Sequence, residues 1–191
     1  MPSYKSKNMA KRTHAHGHDT KQFRSHRNYC FGCGKDNPHG MRLKFFLNED
    51  GKSFSCRFRL AERYWGPPKH AHGGIIATIL DEAMGKVNKL HHVIALTSRM
   101  TIEYLKPVPL GKPMVAVGWG KSVRGRRHIN VAEIRNQKGE VLARSQGTFI
   151  AVDPHRMFAK FLTKAQQARL LKAPVATPNG RKRQGRGADE I

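Results

Sequence analysis

The chain has 191 residues, with 36 Lys+Arg against 13 Asp+Glu, a formal charge of +23 and 38% hydrophobic residues. That length holds one ordinary domain with flanking tails and excludes two full-sized ones, and no run of about 18 uncharged apolar residues exists to span a membrane as a helix. Three cysteines, an odd number, exclude a disulfide framework.

Residues 1–27, including "HAHGHDTKQFRSHR", have no apolar periodicity and read as a disordered, basic, His-rich tail. The absence of an apolar signal core leads to the expectation of a cytoplasmic protein. From residue 28 to 153 the pattern is regular. Met41, Leu43, Phe45 and Leu47 alternate, as do Phe54, Cys56, Phe58 and Leu60, with "NEDGK" between them, which predicts a β-hairpin. After "GPPKHAHGG" the period becomes 3.6, and Ile75, Ile76, Ile79, Leu80, Ala83, Met84, Val87 and Leu90 predict a helix from about Gly73 to about Leu90. Alternation returns in Ile94, Leu96, Ser98, Met100, Ile102 and Tyr104. Two further strand-like runs flank "NQKGE" before a last one, "VLARSQGTFIAV". One long helix among five or six antiparallel strands implies an α+β layer fold in which the sheet covers the helix. Residues 154–172 carry a second amphipathic helix whose Met157, Phe158, Phe161, Leu162 and Leu171 are expected to pack on the same domain. Residues 173–191 read as a second disordered basic tail. Residues 1–29 hold seven basic residues against one acid, and residues 155–191 nine against two, so the termini are expected to bind nucleic acid only weakly and without sequence preference.

The stretch "HGGIIATILDE", His72 to Glu82, carries the chemistry. Two glycines suit a helix start, where the N–H groups of Gly73 and Gly74 lack intrahelical partners and can hold an anion or an oxyanion. Asp81 lies opposite the apolar stripe, among Gly74, Ala77, Thr78, Gly85 and Asn88. Small residues on an outer face mean close packing of a second helix or a ligand, so Asp81 is the candidate base or nucleophile. Glu82, four residues before Lys86, is explained by an ion pair and is the second-choice carboxylate.

The ordered set "WGPPKHAHGGIIATILDEAMG", "ALTSRMTIEYLKPVPLGKP" and "GEVLARSQGTF", preceded by "CFGCGKDNPHGMRLKF", resembles the hot-dog-fold acyl-CoA thioesterases of the phenylacetate-degradation (PaaI-like) type. The resemblance covers about residues 28–153. It implies an antiparallel sheet of five or six strands wrapped around one central helix, and a homo-oligomer, either a dimer or a dimer of dimers, with active sites between subunits. It also implies acyl-CoA hydrolysis with no cofactor beyond the coenzyme A of the substrate. In that family's pattern Asp81 attacks the thioester or activates water, the N–H of Gly73 polarises the carbonyl, His72 positions it, and Thr97 orients water. Asp81 and Thr97 would then face His72 and Gly73 of the other subunit. Certain members have Asn or Gln six residues before the His, where this chain has Gly66.

Arg124, Arg126 and Arg127 in "SVRGRRHI" are candidates for the coenzyme A phosphates, with Arg126 preferred, and Gly74 for substrate contact. Met84, Met100 and Tyr104 either line the acyl pocket or fill the core. His26, Cys30, Cys33 and His39 have half the spacing of a zinc site, but no second Cys pair follows, and no metal is expected. The alternative to an enzyme is an acyl-CoA-binding module that does not turn its ligand over, with tails that bind polyanions.

Overall fold

The apolar stripe of the predicted helix needs a concave surface to bury it, and the alternating strands supply one. The computed structural model describes residues 28–153 and Met157; residues 1–27 and 173–191, expected as tails, and, Met157 apart, the expected C-terminal helix lie outside the described residues. In chain order come β1 (Phe46–Leu47), β2 (Ser53–Arg59), a 3-10 turn (Glu62–Tyr64), α1 (Gly73–Val87) running on into a 3-10 turn (Asn88–His91), β3 (Ile94–Tyr104), β4 (Pro113–Arg124), β5 (Arg127–Asn136) and β6 (Val141–Val152). The strands form one antiparallel sheet in the order β1-β2-β4-β5-β6-β3. The sheet-on-helix arrangement expected from the sequence is therefore present, with six strands.

Ile76, Ile79, Leu80, Ala83 and Met84 of α1 are buried in one cluster with Cys56, Ala116, Ala132, Ile134, Ala143 and Phe149 of the sheet, and Val87 is buried as well. The approach is closest at β4, where a Cβ on Gly118 would lie 2.4 Å from the Ala83 carbonyl oxygen. Asn130 of β5 fixes the other end of the helix. Its Nδ2 donates to the Met84 carbonyl at 3.0 Å and to Asn88 Oδ1 at 3.1 Å, in a fully enclosed site. Asn88 is thus buried and not on the outer face where its helical phase had placed it, because the last turn tightens to 3-10.

Two strands depart from expectation. The first half of the expected hairpin shrinks to β1, since the N–H groups of Met41 and Leu43 donate instead to the carbonyls of Phe31 and Gly32, and Arg42 adopts φ 54°. In β3 the register against β6 shifts between Thr97 and Arg99. This bulge changes the phase of alternation: Ala95 faces the core before it and Met100 and Ile102 after it, while Ile94 and Leu96 are exposed. Among the described residues no helix is long and apolar enough to cross a membrane.

Gly118→Ala tests the closeness of the helix to β4. Because the obstructing atom is backbone, the substitution should cost about 1–3 kcal/mol in urea unfolding. An equal substitution at Gly85, where a Cβ meets only the Phe149 ring at 4.0 Å, should not destabilise.

Candidate active site

The start of α1 is set by the loop before it. His72 donates its N–H to the Tyr64 carbonyl, Gly66 to His70, and Ala71 to Val108, each at 2.9 Å, so the segment "WGPPKHAH" folds back on itself before entering the helix. A Cβ on Gly66 would sit 2.5 Å from His72 Cα. This backbone path leaves no room for an Asn or Gln side chain there, which accounts for the departure from the family pattern.

His72 is the N-cap, and its Nδ1 accepts from the Gly74 N–H at 3.0 Å. The Gly74 N–H is therefore engaged by the cap and not open to an anion, contrary to the expectation that both glycine N–H groups are free. The Gly73 N–H has no acceptor among the described residues, and it stands at the positive end of the helix dipole. The Tyr104 hydroxyl donates to the Gly73 carbonyl at 3.1 Å and lays its ring beside the glycine. The strand pattern offered this tyrosine as pocket or core; its hydroxyl was the signal that it would find a backbone acceptor.

Two turns along α1, the half-buried Asp81 accepts a hydrogen bond from Thr97 Oγ1 to Oδ1 at 2.7 Å. Burial pushes the Asp81 carboxyl above the ordinary aspartate value; the Thr97 bond partly offsets this, and the nearby Glu82 charge adds to it. Asp81 and Thr97 thus come together in one chain, as the resemblance implied. Gly73 and Asp81 do not: eight residues apart on a helix, they stand about 12 Å from one another along its axis.

Glu82 points elsewhere. It accepts from the Cys30 thiol at 3.0 Å and pairs with Lys86 at 3.2 Å, and Lys86 Nζ donates to Cys33 Sγ at 2.9 Å. Burial would raise Glu82, but the Cys30 and Cys33 hydrogen bonds and the Lys86 charge outweigh it and hold the carboxyl below the usual glutamate value. Burial pushes the Cys33 thiol up to about 11. The Glu82–Lys86 ion pair expected from spacing is present, while the two cysteines beside it were beyond sequence reasoning.

At the β4–β5 hairpin, Arg124 and Arg127 stand opposite one another and, with Ser122 and Ile129, line a pocket of about 270 Å³. Two cations in register make a focus for an anion. Arg126, the preferred candidate from sequence, instead donates its Nε to the Ala151 carbonyl at 2.8 Å and does not line this pocket.

The thioesterase superfamily profile matches residues 68–143, which hold the N-cap, α1 and the Thr97 strand. The match is echoed by solved folds. A crystal structure described as a thioesterase superfamily protein is 30% identical, covering 60% of this chain and 59% of its own, with a TM-score of 0.57. Over residues 68–143 this chain is similar to the thioesterase superfamily.

Its sheet and helix are the hot-dog fold of that superfamily. The BH2602 protein from Bacillus halodurans, solved with CoA, is 29% identical over 59% of this chain and 75% of its own, at a TM-score of 0.53. Acyl-coenzyme A thioesterase THEM4 of Rattus norvegicus is 29% identical over 118 residues, 61% of this chain and 51% of that protein. The chain spans about half the length of the curated relatives it matches.

The Asp81 environment predicts a stability effect. Folding raises this pKa, so the native state holds the proton more tightly than the unfolded chain, and the ionised carboxylate costs stability above its native pKa. Asp81→Asn should therefore melt at a higher temperature than wild type at pH 7. The two should converge as the pH falls through the native pKa toward the unfolded value of about 3.9. A lower melting temperature at pH 7 would contradict the burial argument.

Proposed function

We propose that this protein is an acyl-CoA thioesterase of the PaaI-like type, which hydrolyses a thioester to a carboxylic acid and free coenzyme A. The observation that carries the reading is the half-buried Asp81 held by Thr97 on the strand after the helix. With Oδ1 occupied by Thr97, Oδ2 takes a proton from water as that water attacks the thioester carbon. The carbonyl oxygen becomes an oxyanion against the Gly73 N–H; collapse expels the coenzyme A thiolate, which recovers the proton from Asp81. His72 fixes the helix start and Glu82 takes no part. The chemistry as written needs no cofactor.

The separation of about 12 Å between Asp81 and Gly73 requires that one carbonyl be served by two chains. The working unit is accordingly a dimer, or a dimer of dimers, in which Asp81 and Thr97 of one copy meet Gly73 of the other. Arg124 and Arg127 supply the phosphate contacts of coenzyme A. Leu96, Ile150, Arg127 and Arg124 lie in one row across the sheet, so Arg127 is two strands, about 10 Å, from the strand that carries Thr97. The three cysteines of the described residues are free thiols, which suits the cytoplasm.

The test is free-thiol release from phenylacetyl-, hydroxybenzoyl-, hexanoyl- and palmitoyl-CoA. Asp81→Ala should lower kcat by about 10²–10⁴ in a protein that keeps its oligomeric state. Thr97→Val removes the bond that lowers the Asp81 pKa, so the acidic limb of kcat/KM should move to higher pH. Full activity in Asp81→Ala would refute the assignment, and silence across the panel in folded wild-type protein would leave an acyl-CoA-binding module. Arg124→Ala and Arg127→Ala should raise KM for an acyl-CoA and leave KM for the matching acyl-pantetheine, which lacks the nucleotide phosphates, unchanged.

A further inference from the structure

The cluster around Glu82 lies outside the chemistry proposed for Asp81. Cys30 and Cys33 reach it from a tight loop in which the Gly34 N–H donates back to the Cys30 carbonyl at 2.9 Å. The loop is shaped for this approach. A Cβ on Gly34 would lie 2.4 Å from the Cys30 carbonyl oxygen, and a Cβ on Gly32 would lie 2.4 Å from Glu82 Cγ. Glycine at both places lets the chain turn between the thiols and press onto the carboxylate. The two Sγ atoms and a Glu82 oxygen lie within 4.8 Å of one another.

From this juxtaposition we infer that Cys30, Cys33 and Glu82 form a three-ligand site for a thiophilic divalent cation, zinc in chemical type, which staples the loop to α1. Two thiolates on a tetrahedral ion at Zn–S of about 2.3 Å stand about 3.8 Å apart, so the cluster must contract by no more than about 1 Å. Two sulfurs and one carboxylate oxygen suit zinc and exclude magnesium or calcium, which take oxygen ligands. The charge closes. Binding displaces the two thiol protons, and two thiolates, the Glu82 carboxylate, the Lys86 ammonium and the ion sum to zero, as do the Glu82 and Lys86 charges without it. Lys86 keeps its place, its N–H···S contact to Cys33 becoming an outer hydrogen bond to a ligand. Cys30 is solvent-exposed, which leaves the fourth position to water. The sequence alone had weighed these cysteines with His26 and His39; His26 lies outside the described residues, and among those described the helix supplies a carboxylate, Glu82, beside the two thiols.

The full chain, with His14, His16 and His18 changed to Ala so that the tail cannot compete, should retain about one equivalent of Zn²⁺ through gel filtration. Its Co²⁺ form should show sulfur-to-metal charge-transfer absorption that falls by half in Cys30→Ser or Cys33→Ser. Lys86→Met should weaken Zn²⁺ binding about 10–100-fold, and Glu82→Gln by more. Zinc released stoichiometrically when the wild-type thiols are titrated with a mercurial gives the same reading without any variant, should the cysteine variants fail to fold. Cobalt spectra without charge-transfer bands, zinc lost with the three tail histidines, or an intact mass two hydrogens low because the thiols have closed into a disulfide would each overturn the site.

Discussion

The close contact of α1 with the sheet is the constraint on which the other features depend. With the Ala83 carbonyl pressed against Gly118 and the far end of the helix held by Asn130, α1 has no freedom to roll. Every residue off its buried stripe is therefore given a fixed direction. Asp81 and Glu82, adjacent in sequence and about 100° apart around the axis, are sent to different neighbours, one to β3 and the other to the loop at Cys30–Cys33.

That divergence gives two carboxylates opposite characters. Asp81 has a single neutral donor and is desolvated, and its pKa rises; Glu82 has thiol donors and a lysine, and its pKa falls. A group meant to take a proton from water gains from a raised pKa, whereas one meant to hold a cation gains from remaining ionised. The environments sort the pair in the way the proposed roles require, and the sorting follows from backbone position and not from the residue types, which are nearly the same.

The helix, the strand count and the placement of Asp81 were legible in the sequence because each rests on a period or a spacing carried by many residues. What escaped it were local breaks of period. The bulge at Thr97 and Arg99 lets an odd-numbered threonine face the carboxylate while even-numbered Met100 and Ile102 face the core, and strict alternation has no way to express that shift. Asn88 was assigned by helical phase to the outside, and the 3-10 turn carried it inside to Asn130. Arg126 was preferred over its neighbours in the sequence, but the Ala151 carbonyl claims its Nε. The Cys30–Glu82 contact joins residues 52 apart, and nothing in either local pattern refers to the other.

The remaining feature is the edge of the sheet. β3 is an eleven-residue strand paired on one side by β6, and Ile94, Leu96 and Tyr104 along it are exposed. A long edge with apolar side chains is the kind that attracts another strand, and proteins seldom leave one uncovered. On the proposed reading the same strand bears Thr97, and its Tyr104 hydroxyl holds the Gly73 carbonyl at the helix start. Both halves of the reaction, the base and the oxyanion donor, are thus anchored to one edge strand at opposite ends. A second copy docked antiparallel along that edge brings the Thr97 end of one strand toward the Tyr104 end of the other. It would cover the apolar edge and close the gap of about 12 Å that one chain cannot bridge. Catalytic assembly and edge protection then require the same contact.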